Sequence, residues 1–314
     1  MISALLLTGT AHAAILFSDN FDLPSGANYE VNADSDSRID FAYNYAADGI
    51  PSAPNSAGGT TLGVKFQANM VDPAAAQAIN ISPIGGSFTG DFILRFDMWI
   101  NANGPFPAGG TGSTEFITAG VGTTGFNVQK SSGSSDGAWF AVDGEGQSGI
   151  DFRAYRGITL EGPTSAAYAA PINGTIGARS SDNPYYHTTF PGGQEPPLLQ
   201  QLAFPGQQQG VLKPGTTGFA WRDVVIEKTG TDVTWSIDGL TIATLANANF
   251  SGDNIFVGYW DVFASVSDNP ATSFGIVDNL RVEQVPEPSS TVALLMGGLA
   301  LIARRRRKLS GVGM

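Results

Sequence analysis

The segment Asp91 to Ile100, DFILRFDMWI, carries an aromatic ring and two opposite charges at alternate positions. Alternation predicts a β-strand with one wholly apolar face, made of Phe92, Leu94, Phe96, Met98 and Ile100. The other face presents Ile93, Arg95, Asp97 and Trp99. An aromatic ring beside hydrogen-bonding groups is the composition that a bound sugar ring needs. This face is therefore a candidate glycan-binding surface.

Two more aromatic residues could extend that surface: Tyr155, close to Arg153, and Trp260 in GYWDVF. The predicted ligand-binding residues are Trp99, Arg95, Asp97, Tyr155 and Trp260. Large aromatic side chains are also highly buried on average. Trp99 is therefore equally compatible with a position beneath another segment of the chain, away from any ligand.

Asp278 raises a different chemical question. Uninterrupted alternation along FGIVDNLRV puts its carboxylate on the same face as Ile276, Leu280 and Val282. A carboxylate on an apolar face is costly unless a cation or several donors meet it. The pattern is compatible with a metal site at Asp278, and equally with hydrogen bonds from neighbouring loop amides.

No catalytic constellation stands out. His187 is the one histidine that would remain after removal of a leader containing His12, and a single loop histidine is more often a surface residue than a base. GSSDG at Gly133–Gly137 fits the G-x-S-x-G pattern, but the strand-like AWFAV follows where a helix is required. Glycosidases need two carboxylates at a defined separation, and a pair assembled from distant strands remains open.

Composition and pattern together predict an all-β protein. The chain has 40 Gly, 18 Pro and 14% charged residues, with 42% hydrophobic residues to build a core. Short apolar runs recur between turn residues, which favours an antiparallel sandwich. Cysteine is absent, which excludes disulfides and thiolate metal sites.

One long segment interrupts the strands. Residues 162–215 contain eight prolines and six glutamines, so this segment cannot lie inside a sheet. It is predicted to be a long excursion across the surface. It either shapes a binding site or acts as a flexible spacer.

Both ends of the chain carry export features. MISALLLTGTAHA, residues 1–13, has an apolar run followed by the small-x-small pattern of Ala11 to Ala13, which predicts a signal peptide. No basic residue precedes the apolar run, so either the start codon lies upstream of Met1 or the signal is weak. At the other end, Thr291 to Ala303 is free of charge and precedes a basic cluster, Arg304, Arg305, Arg306, Arg307 and Lys308. Such a cluster would stop the segment at the cytoplasmic side of a membrane.

The segment Val285 to Lys308 closely resembles the PEP-CTERM sorting signal of Gram-negative bacteria. The resemblance rests on the motif Val285, Pro286, Glu287 and Pro288, then the short apolar helix, then the basic cluster. It implies recognition by an exosortase that cuts near the motif, and a cell-surface or extracellular location linked to exopolysaccharide and biofilm.

The preceding residues resemble concanavalin A-like and laminin G-like jelly rolls. The resemblance rests on FSDNFD, on WRDVVIEKTGTDVTWSIDGLTIATL and on FGIVDNLRV. It implies that the first and last strands lie side by side, and that Asp19 and Asp22 join Asp278 at a structural calcium. Many glycoside hydrolases of this architecture carry an E-x-D-x-x-E run, which none of the eight glutamates forms.

The predicted organisation is a signal peptide at 1–13, a jelly-roll sandwich at 14–284, the sorting signal at 285–308 and a tail at 309–314. Without the basic cluster, 11 basic residues face 28 acidic ones, a net charge of −17, which disfavours nucleic-acid binding. We expect an exported, non-enzymatic binder or organiser of exopolysaccharide. The alternative is a glycan-cleaving enzyme on the same scaffold.

Overall fold

The computed structural model describes residues 13–71 and 75–285 of the chain. Most of the predicted signal peptide, Pro286 to Pro288 of the sorting motif, the apolar helix and the basic cluster lie outside the described residues. No helix within the described ranges is long and apolar enough to cross a membrane.

Strands dominate the described chain. They are β1 Ile15–Asp19, β2 Tyr29–Ala33, β3 Ser37–Asn44, β4 Leu62–Ala68, β5 Gln77–Pro83, β6 Phe92–Asn101, β7 Glu115–Thr123, β8 Ala138–Asp143, β9 Phe152–Arg156, β10 Thr159–Leu160, β11 Arg222–Thr229, β12 Asp232–Ile237, β13 Leu240–Leu245, β14 Asn254–Asp261 and β15 Phe274–Gln284. The two α-helices, α1 Pro184–His187 and α2 Leu198–Ala203, are short, and 3-10 turns cover Gly26–Asn28, Tyr45–Asp48 and Ala57–Gly59.

The strands form two antiparallel sheets. Sheet I has the order β13-β12-β11-β6-β15-β4-β3, with β1 also paired to β15. Sheet II has the order β10-β9-β8-β7-β14-β5-β2. The prediction of an all-β antiparallel jelly-roll sandwich is confirmed, and so is the pairing of the first and last strands, in which Asp19 lies opposite Leu280.

The main core lies between the sheets. The apolar face predicted for β6 is confirmed, because all five of its residues are at most 2% exposed and belong to this core. Trp235 of β12 stacks on Phe140 of β8, with ring centroids 5.1 Å apart. Full burial of each such side chain contributes about 1.5–3 kcal/mol, so burial of the alternating apolar residues is a main force that holds the sheets together.

The proline-rich excursion packs against the sandwich. Tyr186 and Phe190 are fully buried in the main core, and Tyr186 stacks on Phe152 with centroids 4.1 Å apart. Gln200 of α2 exchanges hydrogen bonds with Asn101 at the end of β6, at 2.9 and 2.8 Å. The excursion is thus an ordered cover over part of the sandwich, and the flexible-spacer alternative does not describe it.

Candidate ligand-binding site

A pair of buried carboxylates lies on the outer face of sheet I. Asp97 of β6 is the register partner of Asp278 of β15, and each side chain is 1% exposed. Register partners on antiparallel strands have Cα atoms about 4.5–5.5 Å apart. The fold therefore brings together two acids that are 181 positions apart in the chain.

The predicted orientation of Asp278 is wrong, because β15 contains a bulge. The register shifts between Asp278 and Arg281, and Asn279 adopts a left-handed conformation with φ of 53°. Before the bulge Ile276 lies on the outer face with Asp278, whereas after it Leu280 and Val282 belong to the main core. An extra residue at a bulge reverses the alternation of all later side chains.

The carboxylate pair is held by uncharged donors from an overlying loop and from Asn279 of β15. Asp97 accepts hydrogen bonds from the backbone N–H of Asn55 at 3.1 Å, from Asn55 Nδ2 at 2.7 Å and from Asn279 Nδ2 at 2.8 Å. Asp278 accepts from Ser56 Oγ at 2.8 Å, from Tyr45 Oη at 3.0 Å and from its neighbour's backbone N–H at 2.7 Å. Every carboxylate oxygen of the pair is thus occupied by the protein.

Burial raises the pKa of Asp278 to about 6. The hydrogen bonds from Ser56, from the Asn279 backbone and from Tyr45 oppose this rise, and the like charge of Asp97 adds to it. Asp278 therefore loses its proton at a higher pH than an exposed aspartate does.

An open cleft of about 450 Å³ borders this network. Its polar lining residues are Ser18, Asp19, Asn20, Asn55, Asn279 and Arg281. The cleft lies where β1 meets the bulge of β15, so its shape depends on the pairing of the first and last strands. Of the polar residues predicted from the sequence, Asp19 lines this cleft, and its lining residues Asn55 and Asn279 donate hydrogen bonds to Asp97.

The cations near this face are already paired. Arg95 donates two hydrogen bonds of 2.6 Å to Asp223 of β11, and these bonds raise the pKa of the guanidinium. Arg281 lies 2.5 Å from a carboxylate oxygen of Glu283. Arg95 therefore points to a neighbouring strand and does not form part of a polar platform with Trp99.

The predicted aromatic surface is not assembled in this structure. Trp99 is 4% exposed and packs beside Trp221 on the outer face of sheet I. Tyr155 and Trp260 are 1% and 2% exposed and lie in a cluster on the outer face of sheet II. In that cluster Trp139 stacks on Tyr155 with centroids 4.0 Å apart. The rings lie on opposite faces of the sandwich and are covered, so they do not form one open stacking surface.

The predicted calcium ligands also have other partners. Asp19 accepts hydrogen bonds from Phe21 N at 2.8 Å and from Tyr29 Oη at 3.0 Å, and Asp22 accepts one from Asn20 Nδ2 at 2.5 Å. In the ranges 13–71 and 75–285, no group of three or more His, Asp or Glu side chains is placed to hold a metal ion. Calcium also binds backbone and amide oxygens, so a structural calcium at Asp19, Asp22 and Asp278 stays a prediction.

A second group of buried acids was missed by sequence reasoning. It lies at one end of sheet II and comprises Glu115, Asp143, Glu145, Asp151 and Asp261. Burial raises the pKa of every member, to about 7 for Glu145 and Asp261. The one signal in the sequence is the acid-rich stretch VDGEGQSGID, which does not reveal that its side chains face inward.

His187 contributes no acid–base pair. Its Nε2 lies 3.1 Å from the backbone oxygen of Ser181, within the excursion. The interaction helps to hold the end of α1, which agrees with the structural interpretation of a single histidine.

Comparison with known proteins identifies the C-terminal segment. The model of the PEP-CTERM protein-sorting motif matches residues 284–308, one residue longer than the segment predicted from the sequence. No curated protein matches the chain.

Solved structures with a similar arrangement include three carbohydrate-active or carbohydrate-binding proteins. The β-glucanase of Bacillus licheniformis has 9% identity and a TM-score of 0.40, over 88% of this chain and 100% of that one. The laminarinase of Rhodothermus marinus has 13% identity and a TM-score of 0.39, over 88% and 99%. The metal-free carbohydrate recognition domain of Emp46p has 8% identity and a TM-score of 0.43, over 86% and 97%. Values this low carry no argument about ligand or activity. The chain thus joins a two-sheet β-sandwich to a PEP-CTERM protein-sorting motif at residues 284–308.

Proposed function

We propose that this chain is an exported protein that an exosortase processes at the sorting motif, and that its sandwich binds or organises exopolysaccharide without cleaving it. The observation that carries the binding role is the cleft beside Asp97 and Asp278. It is open, polar and lined by amides and a carboxylate, groups that hydrogen-bond to hydroxyls. The final location is the cell surface or extracellular matrix of a Gram-negative bacterium.

A glycan-cleaving enzyme is the second candidate, because Asp97 and Asp278 are register partners and retaining glycosidases hold two carboxyl groups about 5–5.5 Å apart. However, the two side chains are almost fully buried and accept six hydrogen bonds from the protein. A catalytic carboxyl group must reach the glycosidic oxygen or the anomeric carbon. The hydrogen bonds that already occupy Asp97 and Asp278 therefore favour a binding function over a catalytic one.

The sorting motif is the reason for proposing an exosortase and the membrane as partners. A 25-residue match at the end of the chain implies an exosortase and a transient membrane contact. The excess of acidic side chains disfavours nucleic acids as partners. Processing at Pro286 to Pro288 would leave Gln284, the last residue of β15, at the end of the mature sandwich.

A glycan array combined with a reducing-end assay tests the function. The full-length chain in non-ionic detergent is expected to retain one or more exopolysaccharide fragments and to release no reducing ends. Turnover that is lost in both Asp97→Asn and Asp278→Asn would instead establish the enzyme. Retention of no glycan at all would overturn the binding role.

A further inference from the structure

We propose that the cleft beside Asp97 and Asp278 selects glycans that carry ammonium groups, such as polymers of amino sugars, over glycans made of uronic acids. This inference rests on the proposed glycan-binding function and names the chemical class of its ligand. The relevant observation is the direction in which the amide groups of the cleft are turned.

Both side-chain amides next to the carboxylate pair donate hydrogen bonds towards the buried carboxylates. Asn55 Nδ2 donates to Asp97 at 2.7 Å, and Asn279 Nδ2 donates to Asp97 at 2.8 Å and to Ser56 Oγ at 3.1 Å. Within the described ranges, the amide oxygens of Asn55 and Asn279 accept no hydrogen bond. Because an amide oxygen lies opposite its NH₂ group, burying two carboxylates beneath these residues leaves acceptors for a ligand.

The remaining charges of the cleft favour a cation. Asp19 lies in the wall, while Arg281, the one basic side chain among the described lining residues, is paired with Glu283 at 2.5 Å. The carboxyl group of Asp19 and the two amide oxygens thus line the same cleft. A ligand that brings donors and a positive charge matches these groups, whereas a carboxylate ligand meets acceptors and another carboxylate.

The net negative charge of the chain outside its C-terminal basic cluster adds to this preference. With the C-terminal basic cluster removed, 28 acidic and 11 basic side chains leave a net charge of −17. A field of this sign concentrates cationic polymers near the surface and repels polyuronates, and salt weakens both effects. The local acceptors then decide where the cationic ring binds.

Three tetrasaccharides test the inference: those of glucosamine, N-acetylglucosamine and galacturonic acid. Titration into the full-length chain is done at about pH 6, where amino groups are protonated. We expect glucosamine tetramer to bind about tenfold more tightly than its N-acetylated form, as one additional charge-assisted contact would give. Galacturonate should bind most weakly, and added salt should reduce the difference.

A matched pair of charge variants locates the site. Asn20→Lys adds one positive charge to the exposed rim of the cleft and should reduce glucosamine binding about tenfold. Ser134→Lys adds the same charge to an exposed loop before β8 and should leave binding unchanged. Equal loss in both variants would overturn the assignment to the cleft.

The outcomes separate this inference from the proposed function. Tighter binding of the N-acetylated or galacturonate tetramer would overturn the cation preference while the glycan-binding function stands. Binding to none of the three and to no glycan on the array would overturn both. Preference for glucosamine that Asn20→Lys removes and Ser134→Lys keeps would support the inference.

Discussion

Asp97 and Asp278 face each other across β6 and β15, and within the described chain every hydrogen-bond donor that meets them is uncharged. Two like charges in a buried position repel each other, so the protein holds them with amide, hydroxyl and backbone groups. The same bonds attach the loop around Tyr45 and Asn55 to the sheet. Local order of the cleft therefore depends on this pair.

Removal of one acid of the pair should destabilise the domain. Asp97→Ala removes the acceptor of three hydrogen bonds from Asn55 and Asn279, at a net cost of about 2 kcal/mol after relief of the repulsion with Asp278. Asp223→Ala is the control, since its ion pair with Arg95 is partly exposed and worth less than about 1 kcal/mol. Urea unfolding curves measure both, and equal losses would contradict the structural role of Asp97.

Stability should fall as the pH rises from about 4 to 7. Burial raises the folded-state pKa of Asp278 to about 6 and of Glu145 and Asp261 to about 7, above the unfolded values of aspartate and glutamate. In that window the folded state binds more protons than the unfolded state, so the free energy of unfolding decreases with pH. We expect Tm at pH 5 to exceed Tm at pH 8 by about 3 °C or more.

The same pH experiment has a matched control. Glu145→Gln together with Asp261→Asn should flatten the decrease, because two of the titrating groups are gone. Glu161→Gln should not flatten it, since hydrogen bonds from Ser165 and Arg156 outweigh burial and lower the pKa of Glu161. A profile that is steeper in the double variant would contradict the assignment.

Trp99 should matter for stability and not for glycan affinity. Its indole is buried and its Nε1 donates to Asn101 at 3.3 Å. Trp99→Phe is expected to cost about 1–2 kcal/mol through the lost bond and a small cavity, while affinity for a retained glycan stays within about twofold. A loss of affinity larger than tenfold in the folded variant would restore the stacking surface predicted from the sequence.

Gly215 should be essential for the position of the excursion. Its φ of 89° suits glycine, and a Cβ there would overlap the backbone oxygen of Ser181. Gly215→Ala should destabilise the domain and speed proteolysis between residues 181 and 215. Gly162→Ala, with nothing within 4 Å of its Cβ, is the control and should behave as the original chain. Equal proteolysis of both would show that this contact does not order the segment.

Processing should depend on the matched motif alone. Replacement of Pro286 and Pro288 by alanine should leave the C-terminal segment attached in the native host, as intact mass will reveal. Deletion of residues 309–314, beyond the matched range, should leave processing unchanged. Removal of the segment in the alanine variant would contradict exosortase recognition of the motif.

The sequence by itself determined the fold class, the apolar face of β6, the surface excursion and the sorting motif. These features depend on local periodicity, on proline content and on a contiguous motif, all of which are read along the chain. Only the tertiary structure decided the orientation of Asp278, since a single left-handed residue at Asn279 reverses the alternation that a regular strand would keep. It also decided that Trp99 and Trp260 lie buried on opposite faces and that Asp97 meets Asp278, because such contacts depend on which strands become neighbours.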